Sequence, residues 1–170
     1  MALNFPEGTQ NFPCKVLQIQ SHNLTTAFAQ TATATSTVIS GFSKSITKVS
    51  STSHVLIVAM LNYCYTGSYA RFNIQLTRGG TPIAVGTSTG NRLASTLAPS
   101  VNGVIGYGPL NHSVVYKDNP GSGTHTYDFR VYDLHGGTEQ TLYFNRGGND
   151  SNNDSYHRTA SVIQLIEIEP

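Results

Sequence analysis

Apolar residues recur along this chain with a period of two, in short runs broken by Gly, Pro, Asn, Asp and Ser. Strict alternation marks a half-buried strand, because successive side chains point to opposite faces. The clearest case is residues 71–77, where Phe72, Ile74 and Leu76 point inward and Arg71, Asn73, Gln75 and Thr77 point outward. Gly79-Gly80 then predicts a hairpin into residues 81–85. Residues 14–20, 25–31 and 37–47 read as earlier strands, with Gly41 as a bulge. Residues 55–65 are apolar at nearly every position, which predicts a central strand buried on both faces. Weaker strand signals lie at 93–97 and 101–105. Stronger ones lie at 110–117, 125–131, 138–145 and 160–168, and Asp118-Asn-Pro-Gly-Ser-Gly123 is a turn.

No stretch sustains the 3.6-residue period of an amphipathic helix. Short strands at regular spacing predict an all-β chain, an antiparallel β-sandwich or jelly roll of about eight to ten strands. The segment 1–13 stands apart. Two Phe-Pro pairs, Phe5-Pro6 and Phe12-Pro13, and Gly8 deny it a helix or a central strand, yet it is too apolar for a free tail. It is read as an extended arm that docks on its own domain or on a neighbour. Residues 14–170 are read as one domain, which suits a chain of 170 residues.

Composition changes the picture in one respect. Charged residues are only 11% of the chain and the formal net charge is +1, so uncharged polar groups, above all Ser and Thr, must cover the surface. Such surfaces repel one another weakly and associate readily. No basic cluster marks a nucleic-acid footprint. The longest apolar run, residues 55–61, is far shorter than the roughly 18 residues of a membrane helix. The first residues lack the basic and apolar parts of a signal peptide. Cys14 and Cys64 are expected to be buried thiols of a protein made in a reducing cytosol, with a disulfide as the alternative.

Candidate chemistry is sparse. Gly86-Thr-Ser-Thr-Gly90 matches a hydrolase string but lacks the strand-to-helix turn that string requires. Asp150-Ser-Asn-Asn-Asp154 opens like a calcium loop, but Ser155 and Ser161 stand where a Gly and a bidentate Glu belong. The six histidines show no metal spacing, and His54 and His125 are read as candidates for packed core groups. No enzyme activity, cofactor or metal is expected. Tyr63, Tyr65 and Tyr69 cluster near one strand end and suit either a core or an interface. The loop 146–158 is too long for a tight turn, and its Asp150, Asp154, Tyr156, His157 and Arg158 are the candidate partner contacts.

Several segments in order resemble a group of small tailed-bacteriophage virion proteins. They are Phe5-Pro-Glu-Gly-Thr-Gln-Asn-Phe-Pro13 with Lys15-Val-Leu-Gln18, Ser53-His-Val-Leu-Ile-Val58, and Leu76-Thr-Arg-Gly-Gly80. They continue with Lys117-Asp-Asn-Pro-Gly121, Tyr127, Tyr143-Phe-Asn-Arg146, Arg158-Thr-Ala-Ser161 and Ile166-Glu-Ile168. Many relatives carry Met in the closing strand where this chain has Ile166, a swap a core tolerates. The resemblance implies a jelly-roll head similar to the trimeric complement-C1q and tumour-necrosis-factor heads. It also implies a homotrimer on the virion surface, made in the host cytoplasm. There it would serve as a capsid decoration (cement) protein bound to the major capsid protein or other virion proteins. The alternative it implies is a tail-fibre head that contacts a host-surface glycan or receptor.

Overall fold

A computed structural model describes residues 15–65, 69–102, 108–133 and 140–169. The predicted arm with Phe5, Pro6, Phe12 and Pro13, and also Cys14, lie outside the described residues. Eleven strands follow one another: β1 (Lys15–Leu24), β2 (Phe28–Ala32), β3 (Thr37–Thr47), β4 (His54–Tyr65), β5 (Tyr69–Arg78), β6 (Thr81–Ile83), β7 (Ser100–Asn102), β8 (Leu110–Asp118), β9 (Thr124–Asp133), β10 (Gln140–Phe144) and β11 (Ser161–Glu169). There is no helix among the described residues. All pairings are antiparallel, and the strands form two sheets, as the alternation predicts for a sandwich.

The larger sheet is narrower than its strand count implies. β8 pairs with Val55–Tyr63 of β4 along one edge, while β11 pairs with residues 54–60 and β10 with residues 63–65. β11 and β10 therefore lie end to end on the other edge of β4, and β1 and β2 lie end to end beyond them. The smaller sheet runs β3-β9-β5-β6, with β7 on β5. Between the sheets sits one core. Val55, Ile57, Leu61 and Tyr63 of β4, with Ile163 and Leu165 of β11, meet Ile39, Phe42, Phe72, Ile74, Phe129 and Val131. Tyr63 and Tyr65 are wholly buried, so these two of the clustered tyrosines belong to the core. Burial pushes the Tyr63 hydroxyl up from its ordinary pKa, with Tyr65 adding to the effect.

Glycine does specific work at two points. Gly79 and Gly80 have φ of 55° and 83°, as the tight primed turn between β5 and β6 requires. Gly41 has φ of 70°, and the β3–β9 register shifts between Val38 and Ser43. This is the predicted bulge, and it lets both Ile39 and Phe42 enter the core despite their odd spacing.

Several expectations are corrected. The outward positions of β5 are not solvated: Asn73, Gln75 and Thr77 are buried. The segment after β6 folds back over them, and the Ala94 carbonyl accepts hydrogen bonds from both the Asn73 and Gln75 amides. Thr77 donates to Asp128, which also pairs with Arg130. A strand was expected at 93–97; that stretch makes only a bridge from Leu97 to Ile74, and the next strand is the short β7. His54 and His125 are half-buried rather than core groups. β4 is central, as expected, but it is buried on both faces only towards its end. Leu56, Val58 and Met60 remain half-exposed because nothing among the described residues packs over them.

Outside the smaller sheet the chemistry is different. Ser45 and Thr126 share a hydroxyl–hydroxyl hydrogen bond of 2.7 Å across β3 and β9, and Thr47 and Thr124 one of 2.8 Å. The sandwich thus has one outer face lined partly by paired hydroxyls and one lined by aliphatic groups.

Candidate interaction surfaces

The aliphatic face follows from register. Side chains directly opposite each other on antiparallel strands share a face. Across β1, β11, β4 and β8 the pairings align Ile19, Ile166, Leu56 and Lys117 in one row, and Ser21, Gln164, Val58 and Val115 in the next. A third row holds Asn23, Val162, Met60 and Ser113, and at the other end Val16 and Ile168 stand beside His54. Val16, Ile19 and Val115 are 53%, 55% and 69% exposed. Lys117 is the only Lys, Arg, Asp or Glu in these rows. Four strands about 4.8 Å apart and about seven residues at about 3.3 Å each outline a face of about 400 Å². Nine of the fifteen positions in these rows are apolar; Ser21, Gln164, Asn23, Ser113, Lys117 and His54 are interspersed among them.

The predicted contact loop walls one end of this face. Asn145 ends β10 with a positive φ of 58°. Its side-chain amide donates to the carbonyls of Leu24 (2.7 Å) and Thr26 (3.0 Å), and its Oδ1 accepts from the Ser161 hydroxyl at 2.8 Å. Its backbone N–H bonds Asn62 and its carbonyl accepts from Thr159. One buried residue thus ties the β1–β2 turn, β4 and β11 together at the root of the loop. The loop closes on an Arg146–Arg158 bridge and folds back so that the Arg146 guanidinium lies 4.5 Å from the Tyr143 ring centre. Cys64, on the same face, is buried beneath it. Burial raises the Cys64 thiol pKa, partly offset by the Gly148 N–H and by Arg146.

Of the five predicted contact residues, two come together. Asp150 lies 2.5 Å from Arg158 and 3.6 Å from Arg146, so its carboxylate is engaged by two guanidinium groups. That arrangement disfavours the calcium reading, because both cations occupy the place of the metal. No group of three or more His, Cys, Asp or Glu side chains suited to a metal occurs among the described residues. Asp154 and His157 are exposed, and Tyr156 is half-buried with its N–H bonded to the Asn153 carbonyl. Ser88 of the hydrolase-like string donates to the Arg92 carbonyl in an exposed loop with no helix. Nothing there forms a nucleophile with a base.

Among the buried charges that escaped the sequence reading, two share one turn. Glu167, wholly buried, accepts hydrogen bonds from the backbone N–H groups of Val49 and Ser50, the Ser53 hydroxyl and the Gln18 amide. Lys48 donates to the carbonyls of Ser53 (2.5 Å) and Pro120 (2.7 Å). The turn 48–53 thus serves both ions at once, its N–H groups turned to the carboxylate and a carbonyl to the ammonium.

No protein-family model and no curated protein matches the sequence. Among solved structures, the chain is similar to that of the infectious bursal disease virus VP2 subviral particle, at 11% identity and a TM-score of 0.31. The match covers 91% of this chain and 42% of that one, so the chain spans less than half the length of its neighbour. A likeness at that score carries no weight for function.

Proposed function

We propose that this chain is a structural protein of a bacteriophage virion, a capsid decoration protein that works by association rather than catalysis. The observation that carries the reading is the aliphatic outer face of the larger sheet, and the ordered resemblance to phage virion proteins gives it a setting. In this reading three copies bury that face against one another as a homotrimer. Stable partners bury about 800 Å² each, so the face supplies about half, and the strand edges and the wall formed by loop 146–158 supply the remainder. The arm with Phe5, Pro6, Phe12 and Pro13 then reaches neighbouring shell subunits and adds contact area across their boundaries.

Two measurements test this. Leu56→Lys/Ile166→Lys places two cations in the middle of the face, at half-exposed positions where the isolated chain tolerates them. The expected result is loss of the trimer by light scattering with an unchanged far-ultraviolet spectrum; a variant that stays trimeric rules out this face as the interface. Separately, purified protein is added to capsids stripped of it. Saturable binding in a fixed ratio, lost on removing residues 2–13 while the head stays folded, supports the decoration role. Protein that ignores capsids and labels host cells instead points to the tail-fibre reading, with loop 146–158 as the contact to a surface glycan or receptor.

A further inference from the structure

The edges of the two sheets are treated unequally. An open strand edge offers unpaired N–H and C=O groups to any other strand, and folded proteins usually guard it. β3 is guarded by side chains from β1 and β2. Gln18 donates to the Thr47 carbonyl, and His22 Nε2 lies 2.8 Å from the Gly41 carbonyl. The Gln30 amide donates to the Val38 carbonyl and accepts from the Ser40 N–H, as a paired strand would. β6 and β7 have three residues each, and β6 contains Pro82. β1 is broken by a bulge between Val16 and Gln18.

β8 has none of these devices; its charged residues stand only at its end, Lys117 outward and Asp118 inward, where Arg78 and Tyr127 hold it. The strand runs nine residues in unbroken register with β4, without Pro or Gly. Its other side pairs with no strand among the described residues.

We propose that the free edge of β8 is a docking site for the β8 of a second copy, paired antiparallel about a two-fold axis normal to the sheet. Centred on Val114, the pairing sets Ser113 opposite Val115, His112 opposite Tyr116, Asn111 opposite Lys117 and Leu110 opposite Asp118. All nine residues find partners and no like charges meet. The strand is thus complementary to itself, as a two-fold contact demands. The partner must itself bring a long, unguarded strand, and this chain offers one. Its net charge of +1 opposes such an encounter little. The larger sheets of the two copies then continue across the axis. The contact goes beyond the trimer proposed above: it would link one trimer to the next.

The test uses two double variants at positions 113 and 115; both lie in the rows of the aliphatic face, so the decisive comparison is made where Leu56→Lys/Ile166→Lys has already broken the face contact. Across the axis, position 113 of one copy faces position 115 of the other, twice. Ser113→Lys/Val115→Lys brings like charges together, whereas Ser113→Lys/Val115→Glu brings opposite ones. Sedimentation at low salt is expected to show association weakened about tenfold or more in the first variant and preserved in the second. In Ser113→Cys/Val115→Cys, mild oxidation is expected to give covalent dimers. The same comparisons in the Leu56→Lys/Ile166→Lys background still read the β8 contact as a monomer–dimer equilibrium, so failure of the face and failure of the edge are distinguishable. Identical sedimentation of the two charge variants, or absence of covalent dimers, overturns the proposal.

Discussion

Replacing Asn145 by Ala is expected to destabilise the fold by about 4 kcal/mol, which approaches the upper end of single-residue effects. The substitution leaves the half-buried Leu24 carbonyl and the buried Ser161 hydroxyl without their partner, while the Thr26 carbonyl, on an exposed residue, can turn to water. Each unsatisfied buried group costs about 1–3 kcal/mol. It also places a Cβ-bearing residue without a polar side chain at φ of 58°, a region that costs Ala about 1 kcal/mol, although the chain does hold Ala84 there at φ of 54°. Asn145→Gly separates the two effects. It loses the same hydrogen bonds but keeps the backbone freedom, so it should be about 1 kcal/mol more stable than the Ala variant. Urea denaturation of the three proteins reads both differences. Equal stability of the Gly and Ala variants shows that the left-handed backbone carries no cost here.

The second large effect concerns acid. Burial alone would raise the Glu167 carboxyl pKa, but the bonds from Ser53, Gln18, Val49 and Ser50 outweigh it and hold the pKa at about 2. The folded value lies below the ordinary one of 4.5, so the ionised form favours folding. The contribution is fully present above about pH 5 and is lost as pH falls towards 2, where the folded group takes up its proton. A depression of this size corresponds to about 3 kcal/mol. Glu167→Gln is therefore expected to lose about that much stability at pH 7 and to flatten the decline in stability between pH 5 and 2. Denaturation midpoints at a series of pH values check this. A Gln variant whose acid decline runs parallel to that of the parent protein shows that Glu167 is not its source.

How far the structure could be read from the sequence differs from element to element. Period-two alternation placed nearly every strand, because burial of one face imposes that period whatever lies beyond. Gly79-Gly80 and Gly41 were legible because only backbone freedom explains them. The burial of Asn73 and Gln75 was not legible: it depends on Ala94, which reaches them only through a fold-back with no local signal. Glu167 sits between isoleucines like an ordinary outward polar residue. Its inward direction is set by the register with β1 and its tolerance there by the turn 48–53, a hundred residues away in sequence. Of the predicted contact loop, the pairing of Asp150 with two arginines could not be read, since it requires the closing bridge. The β4 expectation is instructive. The sequence signals burial on both faces, and the described residues cover only one of them for Leu56, Val58 and Met60. A sister copy on that face would account for the difference.

The paired hydroxyls of Ser45 with Thr126 and Thr47 with Thr124 lie on the opposite side of the sandwich from the aliphatic rows. If the aliphatic rows are buried in the assembly, the surroundings meet this hydroxyl-bearing face, on which Asp128 and Arg130 neutralise each other. Electrolyte screening acts on charge, so a particle presenting such a face would keep its dispersion and its contacts nearly constant between fresh and saline water.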